Sequence, residues 1–499
     1  MNKSKYDVII IGGGLGGLTS AAILSKEGLS VCLLEQHSVI GGCLQSFKRG
    51  EHYLDTGMHY VGSLSEGQIM HQCFKYFGII DELRLHKLDE NGFDHFHFKD
   101  GTSFCHAMGY ERFIDNLSSK FPGERENLKA LCKKIKSVGE FISPQVLRSG
   151  KISNGRMESF FVSGYSIIEE YIKNEKLKKV LFGNSGLYAG DNIRTSLYEY
   201  AMITHSYIEG AYAFVDGSQQ LADLLVRQIR LNGGEVFLKS KVSKIHLEKD
   251  NVEYVELESG ERLNANYYIS SLHPSLTFSM LENNTVYKKA FFTRIKSLPN
   301  TYGIFTTYLT IKPDTVKYLN QNHYFFNNKE IWSVEGDYKG YNIPGILLCM
   351  RPNSASEYTN VITLMTPMLY SQCEKWADTK VGRRGADYKE FKEQFSEAVI
   401  DFVSQYNPNL RNCIEKIYTA SPLTYRDYTA VPEGSAYGLI KDCRNPMVTM
   451  FSPKTRIANL LITGQNLNIH GCLGTTMSSI ITSSEIIGEE YLAKKIGNA

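Results

Sequence analysis

Gly12, Gly14 and Gly17 stand in DVIIIGGGLGGL as G-x-G-x-x-G, and Glu35 follows eighteen residues after Gly17. The first glycine permits a tight turn, and the second lets backbone approach a pyrophosphate. The third lets a helix pack on a strand. A helix opening at Leu15 would offer free N–H groups and a partial positive charge to phosphates. Glu35, with Gln36 beside it, sits where a carboxylate takes ribose hydroxyls, and it would repel a 2′-phosphate. The chemistry is dinucleotide binding, with FAD or NAD as the ligand and NADP disfavoured.

Two further features favour FAD. IGGCLQSF places Gly41 and Gly42 to pass close to a pyrophosphate, and YLDTGMHYVG places Asp55 and Gly57 in a turn beside the cofactor. At the other end of the chain, Thr463-Gly464-Gln465-Asn466 follows an apolar strand. The helix expected to begin near Thr475, with Thr476 in its first turn, has its own positive N-terminus. A second loop of this type suits a ribityl chain and a flavin carbonyl, and NAD would leave it without a partner.

The elements that must position these residues begin with an apolar strand over Tyr6–Ile11 and a helix over Leu15–Lys26. Gly28 stops that helix, and a second strand covers Val31–Glu35. From Met108 to Val180 the chain is helical and lysine-rich, with apolar residues at three- and four-residue steps. Such helices are amphipathic with solvated lysines, and a basic, membrane-facing cap is the alternative. From Asp216 a helix, a Gly233-Gly234 stop, two strands, a hairpin turning at Ser259-Gly260 and a strand at Tyr267–Ser270 follow. TYGIFTTYLTI alternates, and the chain closes with a strand, a glycine-rich loop and a helix. The expected fold is α/β: a Rossmann-type FAD-binding domain with an interleaved α+β substrate domain of mixed sheet and helical cap. Segments 1–70, 215–280 and 445–499 form the first domain, and 71–214 and 281–444 the second.

Composition narrows the function. A net charge of +2 over 499 residues argues against a nucleic-acid binder. Ten cysteines without a C-x-x-C pair are neither a zinc set nor a disulfide framework, and a reduced, cytoplasmic setting is expected. No apolar run is long enough to span a bilayer, although contact with a membrane surface stays open. No H-E-x-x-H or other metal set, no G-x-S-x-G elbow and no second G-x-G-x-x-G is present.

GGGLGGL, the Gly-Gly element, LDTGMHYVG, SPLTYRDYTAVPEGSAYGL and LLITGQNLNIHGCLGTTMS occur in order over nearly the whole chain. Together they resemble the phytoene desaturase, carotenoid isomerase and retinol saturase family of FAD enzymes, most strongly its retinol-saturase side. The resemblance implies FAD, an apolar substrate domain, and chemistry at carbon–carbon double bonds of a polyene or isoprenoid. By position it assigns Gly12, Gly14, Gly17 and Glu35 to the adenosine end, Gly41 and Gly42 to the pyrophosphate, and the Val242 backbone to the adenine. Gly464 and Gln465 would reach the pyrophosphate and ribityl, with Gln465 standing where many relatives carry an acid.

Reduction of a double bond needs a hydride and a proton, desaturation is the reverse, and isomerisation has no net redox change. His59, Tyr60, Tyr425, Tyr428, Tyr437 and His470 are the candidate proton donors, with His59, Tyr428 and His470 placed first. NAD(P)H is a candidate transient reductant, beside a quinone-linked carrier or an electron-transfer protein. An amine-oxidase-like flavoprotein acting on a small amine is the competing enzyme reading. A non-catalytic isoprenoid-binding protein like the Rab GDP-dissociation inhibitors is the competing reading from another class.

Overall fold

The first strand, Tyr6–Ile11, is built of residues that have no polar face to offer water. It pairs in parallel with Val31–Leu34 on one side and Ala265–Ser270 on the other. Glu235–Phe237 and Leu460–Ile462 extend the sheet at its two edges, also in parallel. The computed structural model describes residues 5–155, 157–327 and 343–499; positions 328–342 of the expected second region lie outside these.

Both faces of this sheet are covered, which explains why its strands do not alternate. Val8, Ile10, Val31 and Leu33 enter one core with Leu18 and Ala21 of the helix Leu15–Lys26. Ile9, Ile11, Cys32 and Leu34 enter a second core with Ile245, Val255 and Tyr268. There they meet a four-stranded sheet that includes Val242–Glu248 and Asn251–Leu257. Each fully buried aliphatic side chain contributes about 1.5–3 kcal/mol.

A seven-stranded sheet forms the other large layer, running from Ile414–Ala420 at one edge to Ser103–His106 at the other. Gly303–Ile311 lies inside it, between Val361–Met368 and Ile414–Ala420. Its residues alternate in sequence but are buried almost throughout, because both faces of this strand are packed. The lysine-rich region forms helices at Tyr110–Lys120, Arg125–Gly139, Gly164–Tyr171, Glu175–Leu181 and Leu197–Glu209. In Arg125–Gly139, Leu128, Leu131, Ile135 and Val138 are buried while Lys129, Lys133 and Lys136 face solvent. That is amphipathic packing with solvated lysines. Among the described residues no helix is long and apolar enough to cross a membrane.

The closing helix begins at Gly471, four residues before the expected start near Thr475, and runs to Ile487. Gly471 and Gly474 make the segment look like a loop by propensity. Packing selects glycine instead: a Cβ on Gly474 would lie 2.2 Å from the Ile469 carbonyl oxygen. This helix lies against Leu15–Lys26 through small polar side chains. Thr19 Oγ1 donates to Ser479 Oγ at 2.7 Å, and Ser479 Oγ donates to the Gly16 carbonyl at 2.9 Å.

A Cβ on Gly17 would stand 1.9 Å from the Gly12 carbonyl oxygen, whereas a Cβ on Gly28 meets open space. Gly17→Ala should therefore push the glycine turn open, destabilise the fold by about 1–3 kcal/mol and lose the bound dinucleotide. Gly28→Ala, strained only by its φ of +87°, should cost about 1–2 kcal/mol and keep the ligand. Thermal melts combined with the visible absorbance of the purified variants check both.

Candidate functional site

The parallel sheet ends its strands at one edge, and the loops leaving Ile11, Leu34, Ser270 and Ile462 open onto one cavity of about 590 Å³. Ligands bind at this edge of such sheets because the following helices aim their N-termini there. Two helices do so here. Neither Leu15–Lys26 nor Gly471–Ile487 has a side-chain cap at its N-terminus, so first-turn N–H groups of both are available to an anion or a carbonyl.

At the adenosine end, Glu35 lies just beyond its strand. Its Oε2 accepts the Gly13 N–H at 2.7 Å, and its Oε1 accepts the His37 N–H at 2.7 Å. Each oxygen keeps a free lone pair, so the carboxylate is oriented yet able to take a pair of ribose hydroxyls. Gln36 and Val242, the first residue of the strand Val242–Glu248, line the same end.

In the middle the two glycine elements touch. The Gly41 N–H donates to the Gly13 carbonyl at 2.9 Å, and a Cβ on Gly42 would lie 3.2 Å from the Gly14 Cα. Gly41 has φ +119° and Gly464 φ +98°, so both turns use backbone that favours glycine. This narrow waist, with Leu15 beside it, is shaped for a pyrophosphate. Gly17 is in the packing position expected of it and does not reach the cavity wall.

Beyond the waist, Gln465, Cys472 and Thr475 form one side, and Thr56 to Tyr60 the other. Thr475 rather than Thr476 faces the cavity: Thr476 is fully buried one position further round the helix. Leu187, Ile304, Leu347 and Met365 add apolar wall beside the tyrosines, with Thr366, Thr429 and Ser435 as uncharged polar members. The only described Asp, Glu, Lys or Arg residues on the whole lining are Glu35 and Lys241, at the adenosine end.

The six proton-donor candidates separate sharply. His59 lines the cavity, and its Nε2 is sealed from solvent without a hydrogen-bond partner. Burial holds its pKa below the usual histidine value; Asp55 pulls the other way and Arg351 adds slightly to the depression. Tyr60 presents its ring, but its hydroxyl turns away to Asp94, at 3.1 Å, and to Tyr324. The Tyr425 hydroxyl bonds Thr306 Oγ1 at 2.6 Å and the Thr56 carbonyl at 3.2 Å, and burial pushes its pKa up to about 12. Tyr437 donates to the Gly186 carbonyl at 3.3 Å. Tyr428 is 41% exposed, stands edge-on to His37 and occupies the rim.

His470 lies behind the wall, not in it. Its ring nitrogens meet the carbonyls of Tyr188 and Leu439 at 3.2 and 3.1 Å, and Glu199 Oε1 lies 3.0 Å from Nδ1. It anchors the start of the closing helix and stacks on Tyr437. Lys441, which the sequence does not single out, is buried and donates to the carbonyls of Thr449 and Leu467, both at 3.0 Å, and of Asn466. Burial lowers its pKa to about 7, against the opposing pull of Glu199. It holds the loop that follows Gly464 and Gln465, and nothing in GLIKDCRN signals that role. Ser271 is not singled out either; its hydroxyl bonds the carbonyls of Ile11 and Gly12 at 3.1 and 3.0 Å. Its place directly after a parallel strand was the available signal.

Comparison with known proteins agrees with this geometry. Residues 15–305 match the family described as flavin containing amine oxidoreductase. The all-trans-retinol 13,14-reductase of Danio rerio is 25% identical, over 99% of this chain and 88% of its own length. The chloroplastic prolycopene isomerase of Daucus carota is 22% identical, over 87% of this chain and 74% of its own. An oxidoreductase structure from Methanosarcina mazei has the same fold, with a TM-score of 0.63 at 16% identity, covering 95% of this chain and 99% of that one. The glycine waist, the oriented Glu35 carboxylate and the second uncapped helix N-terminus all suit FAD. The chain belongs to the flavin-containing amine oxidoreductase family and is an FAD-dependent enzyme.

Proposed function

We propose that this enzyme reduces or isomerises carbon–carbon double bonds of a long apolar polyene or isoprenoid. The observation that carries the reading is the far half of the cavity, walled by aliphatic and aromatic side chains with no described Asp, Glu, Lys or Arg. An uncharged hydrocarbon chain gains from such a wall, at about 25 cal/mol per Å² removed from water. The relatives named for a retinol reductase and a prolycopene isomerase, matched along most of their length, support the same substrate class.

When bound, FAD supplies two-electron chemistry by exchanging a hydride with carbon. The chain's own residues do the rest. Gly12, Gly14, Gly41, Gly42 and Gly464 admit the pyrophosphate, and Glu35 takes the ribose. The N-terminus of Gly471–Ile487 faces the cavity with a partial positive charge suited to the flavin's carbonyl edge. Lys441 and His470 position that end from behind. His59 is the residue assigned to move the proton, because its ring lines the cavity. Segments 1–70, 215–280 and 445–499 are assigned to FAD, and 71–214 and 281–444 to the substrate. The presence of strands from all three segments in the parallel sheet supports that division. Net reduction draws its electrons from an external donor, for which NAD(P)H binding transiently is the candidate.

The substrate reading is tested by reducing the yellow holoenzyme without oxygen and mixing it with all-trans-retinol or a linear carotene. Reoxidation of the flavin, or a changed double-bond geometry in the recovered polyene, is expected. Reduction of the oxidised holoenzyme by small amines, with polyenes inert, would overturn it. A protein that neither purifies yellow nor takes up added FAD would refute the enzyme reading itself.

Glu35→Ala removes a charged acceptor from the ribose and frees the Gly13 turn, so FAD should dissociate at least about tenfold more readily. Fluorescence titration of apoprotein with FAD measures that loss. His59→Gln should lower kcat by about 100-fold or more while FAD stays bound. The sign of the pH dependence follows from the depressed pKa of His59. As the proton donor in a reduction, it makes the rate rise as pH falls, levelling only below the ordinary histidine range. As the base in a desaturation it would make the rate fall over the same interval. The pH profile of kcat/KM, lost in His59→Gln, distinguishes the two directions.

A further inference from the structure

A second cavity, of about 1170 Å³, adjoins the first and is not used by the mechanism above. The two share Gly42, Gln45, Thr56, Tyr425, Tyr428 and Thr429 as lining, so they meet at these residues. Phe47, Tyr308, Tyr388, Ile417 and Tyr418 give the second cavity an aromatic and aliphatic side among polar and charged residues, contributed by the hairpin 46–55, the seven-stranded sheet and the helix Ala386–Ser404. Such a lining suits an apolar chain.

Several cations border it, and they differ in burial and in whether they have an ion-pair partner. Arg384 is 8% exposed and is paired with Asp427, and Lys389 pairs with Glu393 at 3.7 Å. Arg49 stacks on Phe47 and Lys48 on Tyr53 at the outer edge. Glu397, the other acid on the lining, is held by Arg411 at 2.9 Å. Lys392 differs. Its Nζ reaches only the Thr419 carbonyl, at 3.5 Å, and the Tyr388 ring face, 5.3 Å from the centroid. Burial lowers its pKa and Arg384 adds to that, against a weak opposing pull from Glu393. An ammonium held half-buried against the Tyr388 ring, with no ion-pair partner among the described residues, is costly unless an anion joins it.

We propose that this groove seats the acidic head of the substrate, with a carboxylate against Lys392 and the apolar chain passing Tyr425 and Tyr428 into the flavin cavity. The inference rests on the apolar-substrate reading above and narrows it to isoprenoid or polyene acids. Lys392 is the one half-buried cation of this lining without an ion pair among the described residues, whereas Lys48 and Arg49, also without one, are exposed at the outer edge; one enclosed positive charge matches the single charge of a carboxylate better than the two or more of a diphosphate.

Calorimetric titration of the yellow holoenzyme with farnesoate and with farnesol, which share one chain, tests this. Farnesoate should bind about 10-fold to 100-fold more tightly, as a charge-assisted hydrogen bond provides. Lys392→Met should remove most of that advantage and leave farnesol unchanged within about twofold, and Lys392→Arg should retain it. Lys389→Met, on the same helix but paired outside, should behave like the wild type. Lys392→Gln repeats the test should the methionine variant lose its flavin or its melting transition. Equal affinity for acid and alcohol in the wild type overturns the proposal while leaving the apolar-substrate reading intact. So does an equal loss of both ligands in the Lys392 variants, or no loss of either. If neither ligand binds a fully flavinated protein, both readings fall.

Discussion

Everything about the site depends on how closely two distant pieces of backbone approach each other. A Cβ on Gly16 would lie 3.0 Å from the Gly464 Cα, and Ser479 bonds the Gly16 carbonyl directly. No side chain of ordinary size fits between them. The approach brings two uncapped helix N-termini to one cavity, so that a single ligand can use both positive ends. The rows of glycine, serine and threonine on the two helices are therefore a packing requirement before they are a binding motif. Burying Thr19, Ser479 and Thr482 is tolerable because each hydroxyl finds a hydroxyl or carbonyl across the contact or one turn back along its own helix.

Behind the cavity wall lies a second constraint. Glu199, His470 and Lys441 are all buried, and together they tie the helix Leu197–Glu209 to the start of Gly471–Ile487 and to the loop before it. The Lys441 ammonium and the His470 ring nitrogens face backbone carbonyls, and the Glu199 carboxylate lies against the His470 ring. The region that carries the apolar wall is thereby fastened to the region that holds the nucleotide. A hydrophobic contact alone would leave that alignment free to slide, whereas directed bonds specify it.

What the sequence revealed was local. The strand–turn–helix around Gly12, the carboxylate of Glu35 and the Gly41-Gly42 pair could be read because their function depends on near neighbours and backbone conformation. The stop at Gly28 and the turn at Ser259-Gly260 belong to the same class. The start of the closing helix was misplaced because tertiary packing against Ile469 overrides glycine's low propensity. Thr476 was chosen where Thr475 faces the cavity, since a one-residue error on a helix turns a side chain by roughly 100°. His470 is among the leading proton-donor candidates by sequence, but Tyr188, Leu439 and Glu199, from distant segments, decide where its ring points. Lys441 and Lys392 were invisible for the same reason: whether a lysine is solvated or enclosed is a property of the residues that surround it.

The order of the sheet has a consequence for biogenesis. Its edge strand, Leu460–Ile462, and the loop and helix after it come from the last tenth of the chain, although they complete a site whose other half begins at Gly12. During synthesis the amino-terminal glycine turn emerges more than four hundred residues before its counterpart. Until Gly464 and Gly471 leave the ribosome, the growing polypeptide has only half a cradle, and a ligand that needs both halves has to wait for the second.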